Sequence, residues 1–223
     1  MQLYLDTAQV SDWSDLMPSG LFYGITTNPL LAHRAGLSYP DIDWAQMAAR
    51  ARDLGAAELH GQVFGPAETY QDWAGAFYQA GAQAGIETVV KIPLTAEGIR
   101  AAPTIRKLGG RILMTACYDA KQMITASLLG AAYIAPYYGR MIEKGIDAPR
   151  ALRQMLAISR QVDSRCRVLV ASLRSTDQML DLAEQGHSLF TLAPNIARDL
   201  FSDPNTVAAV AEFEQAAVPK APT

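Results

Sequence analysis

This sequence is predicted to form an α/β fold, a single (β/α)8 TIM barrel with an extra C-terminal helix. Its 223 residues contain eight short apolar runs, and longer Ala-rich segments with helical spacing lie between them. The composition, 50% hydrophobic and 18% charged, is that of a globular chain. Because most runs are apolar almost throughout, they are typical of parallel strands buried on both faces.

The predicted elements alternate along the whole chain. Strands are predicted over residues 3–6, 23–28, 58–64, 87–92, 111–116, 132–137, 167–173 and 188–192. Helices are predicted over residues 39–54, 67–84, 96–108, 120–129, 148–162 and 176–184, with the extra helix over 206–215. An open doubly wound sheet is the alternative, but no G-x-G-x-x-G follows any strand. We therefore expect one barrel domain over residues 1–217 and a flexible tail over residues 218–223.

Residues at the predicted helix ends support this assignment. Five helices are followed by a glycine, the residue that a left-handed C-terminal cap favours. These glycines are Gly55, Gly85, Gly109, Gly130 and Gly186. Three helices are preceded by a side-chain oxygen able to cap free N–H groups, from Thr95, Asp119 and Ser175.

Charge and cysteine content exclude several classes of protein. Lys and Arg number 19 against 22 Asp and Glu, without a basic stripe, which argues against nucleic-acid binding. Cys117 and Cys166 form no C-x-x-C motif, and His33, His60 and His187 lack metal-ligand spacing. The N-terminus resembles no signal peptide, and no apolar run reaches the length of a membrane span. We expect a cytoplasmic protein that binds neither metal nor membrane.

Polar side chains interrupt the apolar pattern where the predicted strands end, at the end of a barrel that carries active sites. They are Asp6, Thr26, Asn28, Gln62, Lys91, Thr115, Tyr137, Arg140, Ser172 and Arg174. For any single residue, a hydrogen bond that seals the barrel rim explains the pattern equally well. The complete set, placed around one lysine, predicts an active site.

Lys91 is the most informative of these residues, because a buried ammonium ion is unfavourable in an apolar strand. Either the lysine forms a structural ion pair, or burial lowers its pKa and leaves a free amine for Schiff-base chemistry. Asp6 is either an ion-pair partner or cap, or a group that handles protons and substrate hydroxyls. The residues alone leave both alternatives open.

The remaining candidates divide into proton-transfer and anion-binding groups. Tyr137 is either a barrel aromatic or a phenol that moves a proton, and Gln62 and Thr115 could hold a water molecule. An anion site is predicted from Arg140, Ser172 and Arg174, since the loops after strands seven and eight often bind phosphate. For Arg174 alone, a solvated arginine at the rim is the favoured interpretation.

Six stretches resemble the small transaldolase and fructose-6-phosphate aldolase family. They are LYLDTA (3–8), GITTNP (24–29), VVKIPLTAEGI (89–99), MTACY (114–118), YIAPYYGRM (133–141) and VLVASLRS (168–175). The resemblance implies a (β/α)8 barrel with class I aldolase chemistry, no metal or organic cofactor, and a homo-oligomer, either a pentamer or a decamer. It also implies sugar phosphate substrates.

The resemblance also implies individual roles. Lys91 matches the Schiff-base lysine of the family, and Asp6, Asn28 and Thr115 match the polar residues that surround it. Arg140 and Ser172 match the groups that hold the substrate phosphate, and Arg174 falls where a basic residue is usual. This chain departs from the family at Leu30, where a serine is common, and in residues 141–144.

Two positions separate the subgroups of this family. Transaldolases usually have glutamate at the position of Gln62 and phenylalanine at the position of Tyr137, whereas the aldolases have glutamine and tyrosine. The sequence therefore predicts a class I aldolase that cleaves or forms the C3–C4 bond of a ketose phosphate. The alternatives are a transaldolase, with a sugar phosphate or a sulfonated analogue, and an inactive ligand-binding relative.

Overall fold

Eight parallel strands close into a barrel in chain order, with the last strand paired to the first. The computed structural model describes residues 1–161, 165–201 and 203–218. The strands are β1 Gln2–Asp6, β2 Phe22–Thr26, β3 Glu58–Gln62, β4 Glu87–Pro93, β5 Arg111–Cys117, β6 Tyr133–Pro136, β7 Arg167–Val170 and β8 Leu189–Leu192. All eight predicted strands are present, so the predicted barrel is confirmed.

Helices connect the strands and cover the outside of the barrel. They are α1 Val10–Leu16, α2 Pro29–Arg34, α3 Trp44–Asp53, α4 Tyr70–Ala84, α5 Ala96–Arg106, α6 Lys121–Leu128, α7 Tyr138–Glu143, α8 Ala148–Gln161, α9 Thr176–Glu184, α10 Pro194–Asp199 and α11 Pro204–Ala217. The predicted helices are confirmed in type, although residue 162 lies outside the described residues. The sequence did not predict α1, α2, α7 and α10, because six or seven residues are too short to show a helical period.

Two predicted helices begin later than expected. The segment predicted over residues 39–54 opens with a 3-10 turn at Tyr39–Asp41, and α3 starts only after Asp43, whose carboxylate accepts a hydrogen bond from the Gln46 N–H at 3.0 Å. The segment predicted over residues 67–84 likewise opens with a 3-10 turn, Ala67–Thr69. In each case the prediction of one continuous helix was wrong in the first turn.

The predicted caps are present at the helix ends. All five glycines have positive φ angles, between 64° and 97°. Thr95 and Ser175 cap α5 and α9 by accepting hydrogen bonds from Gly98 and Gln178 N–H groups. Asp119 lies two residues before the start of α6, where Ala120 is the N-cap residue, and its carboxylate accepts a hydrogen bond from the Lys121 N–H.

Two apolar layers explain why the strands are apolar almost throughout. One layer fills the barrel interior and includes Tyr4, Val89 and Leu169. The second lies between the barrel and the helices and includes Trp13 and Phe77. Each strand contributes alternate side chains to the two layers, so both of its faces are buried.

The extra helix α11 differs from the others because none of its residues is buried. Val207, Val210 and Phe213 on this helix are 63%, 47% and 67% exposed. Of the predicted tail, Val218 is exposed and residues 219–223 lie outside the described residues. None of the described helices combines the length and the apolar character needed to cross a membrane.

Candidate active site

A cavity of about 110 Å³ opens at the carboxyl ends of the strands. It is lined by eight of the ten predicted site residues, namely Asp6, Thr26, Asn28, Lys91, Tyr137, Arg140, Ser172 and Arg174. Thr115 and Gln62 are not part of its wall. The fold thus brings together side chains from β1, β2, β4 and from the loops that follow β2, β6 and β7.

Lys91 lies at the bottom of this cavity with only 5% of its surface exposed. Its Nζ donates a hydrogen bond to the Thr27 carbonyl oxygen at 2.8 Å, and no carboxylate in the described part of the chain forms an ion pair with it. Burial lowers the pKa of the Lys91 amine, while the charge of Asp6 opposes that shift. Lys91 therefore does not form the structural ion pair that was one of its two predicted alternatives.

Asp6 belongs to a chain of hydroxyl groups on the cavity wall. Its Oδ1 accepts a hydrogen bond of 2.7 Å from the Thr26 hydroxyl, and the Thr26 and Thr191 hydroxyls lie 2.6 Å apart. The pairing of β1 with β2 places Asp6 directly beside Thr26. Thr191 was missed by sequence reasoning, although it is the polar residue within the apolar run of β8.

Tyr137 connects the cavity to Thr115. The Tyr137 and Thr115 hydroxyls are 3.0 Å apart, and the Arg140 guanidinium carbon lies 5.0 Å from the centre of the Tyr137 ring. Burial raises the pKa of the Tyr137 phenol, against the hydrogen bond with Thr115, so the hydroxyl keeps its proton near neutral pH. Thr115 itself is fully buried and reaches the site through Tyr137.

Gln62 lies opposite Lys91 in the pairing of β3 with β4. Its backbone N–H and carbonyl oxygen both hydrogen-bond to the Tyr39 hydroxyl, at 2.7 and 2.8 Å. Since its side chain is not part of the cavity wall, the water that we predicted between Gln62 and Thr115 stays a prediction.

The predicted anion site surrounds a strained backbone at Ser172. Ser172 has a φ of 64°, and its buried hydroxyl has no hydrogen-bond partner among the described residues although the residue lines the cavity. The Gly139 N–H donates to the Ser172 carbonyl at 2.9 Å, and a Cβ at position 139 would lie 2.2 Å from that oxygen. The close approach therefore requires glycine at position 139.

The three arginines that line the cavity differ in their partners. Arg174 donates to the Glu143 carboxylate at 2.7 Å and to the Ser172 carbonyl at 3.0 Å. Arg140 lies over the Tyr137 ring, whereas Arg34 has no ion pair among the described residues. Arg34 was missed by sequence reasoning.

Helix α2 carries Arg34 and forms one side of the cavity mouth. The Asn28 side chain caps this helix by accepting a hydrogen bond from the Leu31 N–H at 3.0 Å. Leu30 and Arg34 are four residues apart, so they lie on the same face of the helix, and both line the cavity. This spacing after Asn28 was the signal that could have identified Arg34.

The three histidines are dispersed, and no group of three or more possible metal ligands occurs among residues 1–161, 165–201 and 203–218. His33 is exposed, while His60 and His187 are buried. The two cysteines are buried, and burial raises the pKa of both thiols to about 12.

The fold and cavity define a (β/α)8 barrel with a buried lysine at the end where such barrels carry active sites. A model of the transaldolase/fructose-6-phosphate aldolase family matches residues 3–221, and the chain belongs to this family of enzymes. It is 32% identical over 215 residues to a "Probable transaldolase" of Anaeromyxobacter sp. (strain Fw109-5), covering 96% of this chain and 95% of the relative.

A second relative is named as an aldolase rather than a transaldolase. The chain is 32% identical over 222 residues to a "Probable fructose-6-phosphate aldolase" of Streptococcus pneumoniae (strain ATCC 700669 / Spain 23F-1), covering 96% of this chain and 94% of the relative. Among solved structures, a mandelate oxidase variant matches with a TM-score of 0.60 at 13% identity, covering 87% of this chain and 65% of that one. This last similarity shows the fold alone.

Proposed function

We propose that this chain is a class I aldolase in which Lys91 forms a Schiff base with a ketose that carries an anionic end group. The state of Lys91 is the observation that carries the proposal. The amine is buried, has a lowered pKa, forms no ion pair among the described residues, and faces the cavity. A lowered pKa increases the fraction of free, nucleophilic amine near neutral pH, whereas an exposed lysine is almost fully protonated there.

The first step joins the substrate to the chain. The Lys91 nitrogen attacks the C2 carbonyl carbon, the carbonyl oxygen takes up a proton, and the nitrogen loses one. Loss of the resulting hydroxyl as water then gives the iminium ion. Tyr137 supports this step, because its protonated phenol is 3.0 Å from Thr115 and can pass protons between substrate and water.

The second step breaks the C3–C4 bond. The C4 hydroxyl loses its proton, and C4 becomes the carbonyl carbon of the departing aldehyde. The electron pair of the broken bond forms the C2=C3 double bond, while the iminium electrons move to the Lys91 nitrogen. Asp6 and Asn28 hold the hydroxyl groups of the dihydroxyacetone unit that stays on the lysine as an enamine.

The third step releases this unit. Protonation of C3 restores the iminium ion, and the addition of water to C2 frees dihydroxyacetone and the Lys91 amine. For fructose 6-phosphate, the products of the complete reaction are dihydroxyacetone and glyceraldehyde 3-phosphate. No electrons are gained or lost, so the proposed cycle needs no external oxidant or reductant.

The anionic end of the substrate is assigned to Arg140, Ser172 and Arg174. The buried Ser172 hydroxyl lacks a partner in the described chain, and the guanidinium groups supply positive charge beside it. Phosphate suits this set, and a sulfonate has a similar shape with a lower charge.

A transaldolase is the second candidate, since relatives with either name are equally similar to this chain. All steps are shared up to the enamine, which in a transaldolase attacks an acceptor aldehyde instead of taking up a proton. The residue types at Gln62 and Tyr137 favour the aldolase. Because Gln62 is not part of the cavity wall, Tyr137 is the stronger support for this assignment.

Product analysis separates these candidates. Glyceraldehyde 3-phosphate is measured after incubation with fructose 6-phosphate, with and without erythrose 4-phosphate. We expect release without the acceptor; release only in its presence identifies a transaldolase. Borohydride should trap the substrate on the wild-type chain and not on the Lys91→Met variant. Undiminished trapping in that variant contradicts the role of Lys91, and no trapping in either protein favours an inactive relative.

We further propose that the protein is a cytoplasmic homo-oligomer, a pentamer or decamer by resemblance. The exposed Val207, Val210 and Phe213 of α11 support an assembly, because contiguous apolar surface is often covered in a complex. Light scattering of the full chain tests the oligomeric state, and a monomer at micromolar concentration contradicts it.

A further inference from the structure

A second polar cluster fills the barrel interior beyond Lys91, towards the amino ends of the strands. We name it the floor cluster, and its members are Tyr4, Glu58, His60, Arg111 and Tyr133. The Glu58 carboxylate is its centre and accepts hydrogen bonds from Tyr4 at 3.0 Å and from Tyr133 at 3.0 and 3.2 Å. It also pairs with His60 Nε2 at 2.8 Å and with the Arg111 guanidinium.

The floor cluster contains two opposite charges in balance. Burial by itself would raise the pKa of Glu58, but its contacts with His60, Arg111 and Tyr4 lower that pKa to about 2. Glu58 is therefore ionised near neutral pH, and Arg111, whose side chain is 39% exposed, stays protonated. The net charge of the pair is zero.

His60 is the uncharged member between this pair and the layer of Lys91. Burial lowers the pKa of His60, and the positive charges of Lys91 and Arg111 lower it further, against the effect of Glu58. Its Nδ1 is buried and has no hydrogen-bond partner in the part of the chain that the structure describes, while Nε2 pairs with Glu58. The ring is packed between Tyr4 and Tyr133, with ring centres 5.1 and 5.6 Å away.

Strand register places the floor cluster close to Lys91. Glu58, His60 and Gln62 follow one another on the inner face of β3, opposite Glu87, Val89 and Lys91 of β4. Successive layers are two residues apart, or about 7 Å along a strand. Glu58 is two layers below the level of Lys91, so its charge and that of its partner Arg111 lie about 13 Å from Lys91 along the strands, through the barrel interior.

Other groups act on Lys91 from the cavity side. Asp6 faces it from β1 and favours the protonated amine, whereas Tyr137 from β6 is uncharged. The guanidinium groups of Arg34, Arg140 and Arg174 also line the cavity, and positive charges disfavour a protonated amine when they lie close to it.

We propose that Glu58 and Arg111 are positioning residues of opposite electrostatic effect, whose balanced charges set the proton affinity of the Lys91 amine. An uncompensated Glu58 would stabilise the ammonium ion and remove the nucleophile, and an uncompensated Arg111 would do the reverse. The consequence for catalysis rests on the proposed Schiff-base role of Lys91. The electrostatic effect does not depend on it.

The test measures how readily Lys91 is methylated by formaldehyde and dimethylamine-borane between pH 6 and pH 11, with the modified peptide quantified by mass spectrometry. We expect the midpoint for Lys91 to fall by about one pH unit in Glu58→Gln and to rise by about one in Arg111→Met, as a charge about 13 Å away predicts for an effective dielectric constant of about 20. The double variant should return close to the wild-type midpoint.

Matched controls separate charge from packing. Arg111→Lys keeps the charge and should leave the midpoint unchanged, and so should Arg167→Met, which removes an exposed arginine from the N-terminal end of β7. The Arg111→Met midpoint is read above about pH 8, where His60 is neutral and cannot cancel the excess charge of Glu58.

Shifts of the same sign in both single variants, or no shift in either, overturn the proposal, because a purely structural cluster would disturb Lys91 equally in both. If Glu58→Gln does not fold, the comparison of Arg111→Met with Arg111→Lys decides the question, since Arg111 is half-buried. Methylation requires only a free amine and no turnover. Failure of the proposed aldolase activity is therefore seen separately, in the trapping experiment.

Discussion

The buried amine of Lys91 lowers the stability of the folded chain. A buried amine with a lowered pKa takes up its proton more readily in the unfolded chain than in the folded one. At pH values between the folded-state pKa and the unfolded value of about 10.4, the unfolded chain binds one more proton than the folded chain. The free energy of unfolding therefore decreases as the pH falls through this range. An active-site group of this kind is kept at the expense of stability.

Replacing Lys91 by Met should therefore stabilise the chain by about 1–2 kcal/mol near neutral pH, or by several degrees in Tm. The gain should shrink as the pH rises and disappear above about pH 10.5, where both states leave the lysine neutral. Thermal unfolding at pH 6, 8 and 10 measures this. A gain that does not depend on pH would indicate better packing of Met rather than removal of an ionisable group.

Arg34 is expected to act on anionic substrates through its guanidinium at the cavity mouth, which forms no ion pair with any described residue. Arg34→Ala should raise KM for a phosphorylated ketose about tenfold, with little change for its neutral counterpart, since a charged hydrogen bond contributes about 1.5–3 kcal/mol. Steady-state kinetics with both substrates measure the effect. Arg150→Ala, an exposed arginine at the start of α8, is the matched control. Equal losses for both substrates would show that Arg34 does not recognise charge.

Among the elements, the turn into α7 and the loop after β7 together shape the proposed anion site. Gly139 on α7 donates to the Ser172 carbonyl, and the left-handed backbone of Ser172 directs its hydroxyl into a buried position. Neither element alone has this geometry. Their contact links the arginine of α7 to the serine that follows β7.

Gly139→Ala tests this contact, because the added methyl group would overlap the Ser172 carbonyl oxygen at 2.2 Å. We expect a loss of about 2–3 kcal/mol in stability and a marked rise in KM for phosphorylated substrates. Gly75→Ala on α4 is the matched control, since its methyl group would meet Leu108 at an ordinary 4.0 Å. That change should be neutral or slightly stabilising. An unaffected KM in Gly139→Ala would separate this turn from substrate binding.

Across the whole barrel, the floor cluster joins four strands through one carboxylate. Tyr4, Glu58 and Tyr133 come from β1, β3 and β6, and Arg111 comes from β5. Because the folded-state pKa of Glu58 is about 2 against an ordinary 4.5, its ionisation stabilises the fold above about pH 4.5. That contribution is lost as the pH falls towards 2.

Glu58→Gln should destabilise the barrel by about 3 kcal/mol at pH 7, since it leaves Arg111 without its partner. The difference from wild type should shrink as the pH falls below about 4.5, because the wild-type carboxylate then becomes protonated. Urea unfolding at pH 7, 4 and 3 measures this. Glu97→Gln, on the exposed face of α5, should cause no measurable change. A constant difference at all three pH values would contradict the role of ionisation.

The barrel and much of the site could be predicted from local pattern. Eight apolar runs, glycine caps and the polar residues that end the runs are properties of neighbouring residues, and a barrel exposes the carboxyl ends of all its strands at one face. The position of Lys91 at the end of the fourth run was therefore enough to place it in the cavity with Asp6 and Tyr137.

Other features depended on contacts between distant segments. Arg34 lies in a helix too short to show a period, and Gln62 is on the inner face of β3 but is not part of the cavity wall. Glu58 meets Arg111 only because β3, β4 and β5 pair in a defined register. Residues 53 positions apart show no common pattern in the chain. Closure of the barrel brings Glu58 and Arg111 together, and it thereby pairs their charges beneath Lys91.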